Sequence, residues 1–152
     1  MATATFYLLD EKSEQDTQQQ MLDMTLALIQ SRAATGQRLF IRAADRDMAF
    51  AIDEALWQLP PEQFVPHNLT GEGGRSATAV EIGWPGIRHG GYRNILINLA
   101  QDVANFAPSF AQVIDFVPCD EGLKQQARDR YKAYRNQGMQ MTTLAIGDTP
   151  NF

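Results

Sequence analysis

The chain has 152 residues, 44% of them hydrophobic and 20% charged, and a net charge of −5. That length suits one domain with a real core, and it needs neither disulfide nor metal to fold. The acid excess argues against a protein that coats nucleic acid over its whole surface. The single cysteine, Cys119, excludes an internal disulfide, and no run approaches the ~20 apolar residues of a membrane span.

In chain order, Thr5 to Leu9 is a short apolar run that reads as a buried strand. Residues from Asp16 to Ala34 carry the helical spacing in Leu22, Leu26, Ile29 and Ala33, with Gly36 as a stop. Leu39 to Ile41 is a second strand. Asp45 is placed to cap a helix whose apolar face holds Met48, Ile52, Ala55 and Leu56, and Pro60-Pro61 forbids its continuation. An irregular stretch follows, from Glu62 to Ala79. Val80, Ile82 and Trp84 alternate with Glu81 and Gly83 as a strand, and Pro85 to Gly91 reads as a loop. Ile95 to Ile97 and Val113 to Val117 are further strands, with a short helix expected over Ala104 to Ala111. Asp120 opens a last helix ending near Gln137 and Gly138, and Thr142 to Ile146 is a terminal strand before a frayed tail.

Short apolar strands joined by helices predict an α/β fold. The expected form is a single three-layer domain over residues 1–152, with a largely parallel central sheet and helices on both faces. The N-terminus lacks the basic and apolar regions of a secretory signal, and one cysteine fits a reducing compartment, so the expected location is the cytoplasm.

Such a pattern invites a search for nucleotide chemistry. The glycine-rich candidate, Gly71 to Ser76, has no lysine and leads toward a strand, whereas a phosphate loop ends in Lys-Ser or Lys-Thr and opens a helix. The turn after Leu9 has no glycine, which removes the dinucleotide fingerprint. His67 and His89 are the two histidines; with one cysteine they make no convincing zinc site. His67 in its Pro-His-Asn turn reads as packed or hydrogen-bonded, and His89 as exposed. Cys119 at a helix mouth has no histidine partner legible in sequence. Asp120 and Glu121 are explained by helix capping. No catalytic residue, metal site or cofactor is expected; a nucleotide-dependent transferase on an α/β scaffold is the alternative.

Charge is unevenly spread. Residues 1–121 sum to −8, whereas residues 122–138 hold five Lys/Arg and one Asp. Within that segment Lys124, Arg128, Lys132 and Arg135 recur at offsets of four, eight and eleven, one helical face. Tyr131 sits beside the row, and Val117 ends the strand before it. Together they describe an apolar recess rimmed by cations, suited to a peptide with acidic residues and an apolar end. A solvated helix whose tyrosines pack on the sheet carries the same pattern. A second cluster, Trp57 with Pro60, Phe64, Val65 and Pro66, places large apolar groups at a helix end, as at protein interfaces. Closing the edge of the core is the other use of such residues.

Taken in order, ATFYLLD at the N-terminus, DEALW at 53–57, FVPHNL at 64–69, GEG at 71–73 and VEIGWP at 80–85 resemble the DNA polymerase III chi subunit family. ILINL at 95–99, DFVP at 115–118 and LKQQARDRYKAYR at 123–135 extend the resemblance over nearly the whole chain. Departures lie mainly in 11–37, 86–93 and after Gly138; the loop at 86–93 is less basic than the family pattern, which weakens any case for direct DNA contact there.

The resemblance implies an α/β fold like nucleotide-binding domains but without a nucleotide site. It implies pairing with the psi subunit, which tethers such proteins to the clamp loader. It also implies binding to the acidic, phenylalanine-ended C-terminal tail of single-stranded DNA-binding protein. Carried onto matching positions, the tail site is Val117, Lys124, Arg128, Tyr131, Lys132 and Arg135. The psi contact is Trp57 and Phe64, with Pro66 and His67.

Overall fold

The computed structural model describes residues 2–9, 17–70, 78–87 and 93–145. Seven strands and three α-helices run through them in the order β1 (Thr3–Leu8), α1 (Thr17–Ala34), β2 (Leu39–Arg42), α2 (Arg46–Trp57), β3 (His67–Leu69), β4 (Val80–Gly83), β5 (Ile95–Asn98), β6 (Gln112–Val117), α3 (Glu121–Asn136) and β7 (Gln140–Ala145). They form one sheet in the order β3-β4-β2-β5-β6-β1-β7, with every strand pair parallel. A parallel sheet needs cover on both faces, which is why its inner strands read as unbroken apolar runs.

Handedness decides which helix covers which face. From β1 to β2 and from β2 to β3 the chain moves toward one edge of the sheet; from β6 to β7 it moves toward the other. Right-handed crossovers therefore put α1 and α2 on one face and α3 on the opposite one. The two core clusters bear this out. One joins Leu28 and Ile29 of α1 and Ile52 and Leu56 of α2 to Leu39, Ile41, Ile82 and Ile97. The other joins Ala127 and Tyr134 of α3 to Phe6, Phe40, Leu96 and Val113. Alternate residues of one strand, such as Phe40 and Ile41, thus feed different layers.

Local chemistry sets the helix ends. The Met48 backbone N–H donates to the Asp45 carboxylate (2.8 Å), and the Leu123 N–H to that of Asp120 (3.1 Å). Gly36 and Gly138, just beyond α1 and α3, take φ of +81° and +87°, the left-handed conformation that ends a helix at low cost.

The helix read over Asp16 to Ala34 is present as α1, and two other expectations are corrected. The buried stripe of α1 is Met24, Thr25, Leu28 and Ile29, with Leu22, Leu26 and Ala33 on its half-buried flanks. Thr25 is tolerated there because its hydroxyl donates to the Met21 carbonyl (2.7 Å). The stretch read as irregular contains β3, an edge strand of three residues held by pairing with β4 rather than by its own apolar pattern. The helix expected over Ala104 to Ala111 is one 3-10 turn, Ala107–Ser109, with Pro108 in its first positions. The loop Gly71 to Ser76, His89, Ile146 and the tail lie outside the described residues.

Candidate functional site

The α3 helix packs on the sheet through its inward residues Ala127, Arg130 and Tyr134. A buried arginine on an apolar face demands a carboxylate, and Asp115 of β6 supplies it. The Arg130 Nε–H donates to both oxygens of Asp115 at 3.2 and 3.0 Å, and the Tyr134 hydroxyl donates to Oδ2 at 2.9 Å. Asn98 of β5 donates to the same oxygen (3.2 Å) and accepts from Arg42 of β2 (3.1 Å). This buried network ties three strands to α3 and fixes the helix in rotation. It was not legible as a site beforehand. Its signal is Arg130 at the helical spacing of Ala127 and Tyr134, together with an aspartate inside an apolar strand.

Burial, then the Asp115 charge and hydrogen bond, raises the Tyr134 pKa well above its ordinary value. The folded state therefore keeps a proton that the unfolded chain loses near pH 10. Above that pH the native state binds more protons than the unfolded state, so stability falls as pH rises; below it the contribution is complete. Tyr134→Phe should remove this alkaline decline and cost roughly 1 kcal/mol at neutral pH for the lost hydrogen bond. Urea unfolding of both proteins between pH 8 and 11 reads the difference; parallel curves would refute the assignment.

With α3 so fixed, its outer residues overhang a cleft of about 490 Å³. Phe6 and Leu8 of β1, Val117 of β6, Thr143 of β7, and Ala127 and Tyr131 of α3 line it. Lys124, Arg128, Lys132 and Arg135 line it too, and none of the lining residues is acidic. All six residues expected at the tail site are therefore brought together around one hollow. Tyr131 is half-buried, tilted against Phe6 at a ring separation of 5.4 Å, and Arg135 lies over its ring at 6.0 Å. Lys124 pairs with Glu121 at 3.6 Å, and Arg128 donates to Gln125 at 3.3 Å. Both are exposed contacts, weak enough to be exchanged for a ligand. Leu8, 41% exposed at the carboxyl end of β1, leaves the floor apolar and wet. Sequence periodicity did not single out Phe6, Leu8 or Thr143, because strands remote in sequence place them.

The second cluster lies on the opposite face, at the end of α2. Trp57 is 60% and Phe64 39% exposed, their rings 5.2 Å apart. Pro66 is exposed, whereas His67 is buried beneath the pair. The imidazole meets Trp57 edge-on at 5.0 Å and Phe64 at 5.6 Å. Its Nδ1 is 2.8 Å from the Val65 carbonyl, and its Nε2 is 3.3 Å from the Asp53 carboxylate. Phe64 also borders a groove of about 460 Å³ between the end of α1 and residues 62–66.

The crevice at the carboxyl ends of the strands, where open parallel sheets bind ligands, measures about 620 Å³. Its polar lining is already engaged at key points: the Arg130 guanidinium by Asp115 and by the Gln101 and Phe116 carbonyls, and Asp45 and Asp120 by the helix ends they cap. The two carboxylates would also repel a phosphate. Cys119 Sγ–H is directed at the Leu9 carbonyl (3.4 Å). Among the described residues no three His, Cys, Asp or Glu side chains gather as metal ligands, and no helix is long and apolar enough to cross a membrane.

Comparison with known proteins agrees with the resemblance. The family model "DNA polymerase III chi subunit, HolC" matches residues 1–142. The DNA polymerase III subunit chi of Escherichia coli (strain K12) is 46% identical over 94% of this chain and 97% of its own. That of Haemophilus influenzae is 41% identical over 95% and 98%, and that of Pseudomonas aeruginosa 31% identical over 77% and 80%. With a match over most of its length and relatives aligned almost end to end, the chain belongs to the DNA polymerase III chi subunit family.

Proposed function

We propose that the protein is a non-catalytic accessory subunit of DNA polymerase III that joins two partners. Its α3 cleft takes the acidic C-terminal tail of single-stranded DNA-binding protein, and its Trp57–Phe64 surface takes the psi subunit, which connects it to the clamp loader. Residues 1–152 act as one chi-like domain, in the bacterial cytoplasm at the replication fork. DNA is met through these partners rather than directly.

The observation that carries the reading is the cleft, where four cationic side chains surround an apolar floor. The tail's terminal carboxylate and acidic residues match the rim; its final phenylalanine matches the floor of Leu8, Val117 and Tyr131. The second surface lies across the sheet from the first, so both partners have room to bind together. A site this small gives an affinity on the order of micromolar. Many tails on one coated strand raise it through effective concentration.

Fluorescence anisotropy with a peptide ending in acidic residues, proline and phenylalanine tests the first contact. Binding should weaken steadily with salt and be lost when the terminal carboxylate is amidated. Failure to bind the free-acid peptide would sink the reading. Phe64→Ala should impair capture of psi while sparing the peptide; undiminished capture would remove that surface.

A further inference from the structure

The Trp57 surface continues along α2. Among the described residues the exposed large hydrophobics are Leu8, which belongs to the cleft, and Phe50, Trp57 and Phe64. Phe50 and Trp57 are seven residues apart on one helix, so they point the same way, about 10.5 Å apart along its axis. The opposite side of α2 buries Ala49, Ile52 and Leu56 against the sheet. An amphipathic surface helix should turn polar side chains to water on its outer face; here that face carries two aromatics, 43% and 60% exposed. Phe50 is built into its place: the Trp84 ring meets it edge-on at 6.3 Å, and the Arg46 guanidinium lies 5.2 Å from its centroid. At the other end, His67 and Asp53 prop Trp57 and Phe64 from below.

The charge flanking this strip is one-sided. Residues 45–64 contain Asp45, Asp47, Asp53, Glu54 and Glu62 against Arg46 as the sole cation. Asp47 and Glu54 are exposed and share the outer face of α2 with the two aromatics.

We propose that the docking surface runs the length of α2, with Phe50 as a second anchor beside Trp57, and that it receives an amphipathic helix with basic flanks. This rests on the reading of the Trp57–Phe64 surface as the psi contact and states what psi must present to it. A straight helix with anchors two turns apart is matched by another helix packed along it, because both repeat at the same interval. An extended segment laid along α2 meets side chains rather than free backbone groups, because the N–H and C=O groups of a helix interior bond to one another. Basic residues beside the partner's apolar stripe complement Asp47 and Glu54 and discourage the acidic tail from binding here.

The test is calorimetry of the full chain with purified psi, at low and high salt, for Phe50→Ala, Glu54→Lys and Trp57→Ala. All three substitutions are at exposed positions, and thermal unfolding checks that each variant is folded. Phe50→Ala should weaken psi binding five- to tenfold. Glu54→Lys should weaken it several-fold and flatten the salt dependence. If Trp57→Ala weakens binding while Phe50→Ala stays within twofold, the extension is overturned and the psi contact stands. If Phe50→Ala weakens binding but Glu54→Lys does not, the basic character assigned to the partner is overturned. If none of the three weakens it, the psi contact fails as well.

Discussion

Asp115→Ala should destabilise the protein by about 3–5 kcal/mol, since it leaves the Arg130 guanidinium buried without its counter-charge. Asp115 is 1% exposed and accepts from the side chains of Arg130, Tyr134 and Asn98, from two layers of the fold, and from the Phe116 backbone N–H. The two carbonyls that remain to Arg130, those of Gln101 and Phe116, carry no net charge. Against a total stability of roughly 5–15 kcal/mol, such a loss is a large fraction. Urea unfolding measures it. Replacing both partners, Asp115→Ala with Arg130→Met, should recover much of the loss, because the cost lies in the orphaned charge rather than in the missing bonds. A single-variant loss under 1 kcal/mol would mean that Arg130 reaches water and that the network does not hold α3. None of the network's residues lines the cleft, but they anchor the helix that carries its cationic rim, so peptide affinity should fall in Asp115→Ala even at temperatures where the variant stays folded.

Arg128→Glu should weaken binding of the acidic tail peptide on the order of 30-fold or more, without loss of stability. The residue is exposed at the rim of the cleft, where it donates to Gln125 at 3.3 Å. Reversal removes a planar fork suited to a carboxylate and places a repelling charge in its stead. Arg128→Lys separates the two causes. It keeps the charge but loses the fork, so its affinity should lie between those of the parent and the reversal. If reversal changes affinity less than threefold, the carboxylate is held elsewhere on the rim, and Lys124, Lys132 and Arg135 become the residues to test. Raising salt should narrow the gap between parent and reversal, since the tail's charges meet exposed partners.

Much of the fold was legible from local chemistry. The caps at Asp45 and Asp120, the stops at Gly36 and Gly138 and the apolar runs of β2, β5 and β6 act within a few residues of themselves. β3 was not legible, because a three-residue edge strand is created by its neighbour's hydrogen bonds. The helical spacing of Leu22, Leu26, Ile29 and Ala33 located α1, but that Thr25 joins its buried stripe was not legible, because its hydroxyl is satisfied within the helix. The cationic row of α3 could be listed from its period. That it overhangs a hollow rather than open water depends on Leu8, Val117 and Thr143, which three neighbouring strands bring beneath it.

What the amino-acid order determines by itself, then, is the alternation of elements, the helix ends, the excess of cations after residue 121 and the family to which the chain belongs. The depth of the cleft, the Asp115–Arg130 lock and the placing of the cleft and the Trp57–Phe64 cluster on opposite faces were decided only by the tertiary structure. The physical reason is that each depends on contacts between residues far apart in the chain, made when the crossovers turn first toward one edge of the sheet and then toward the other.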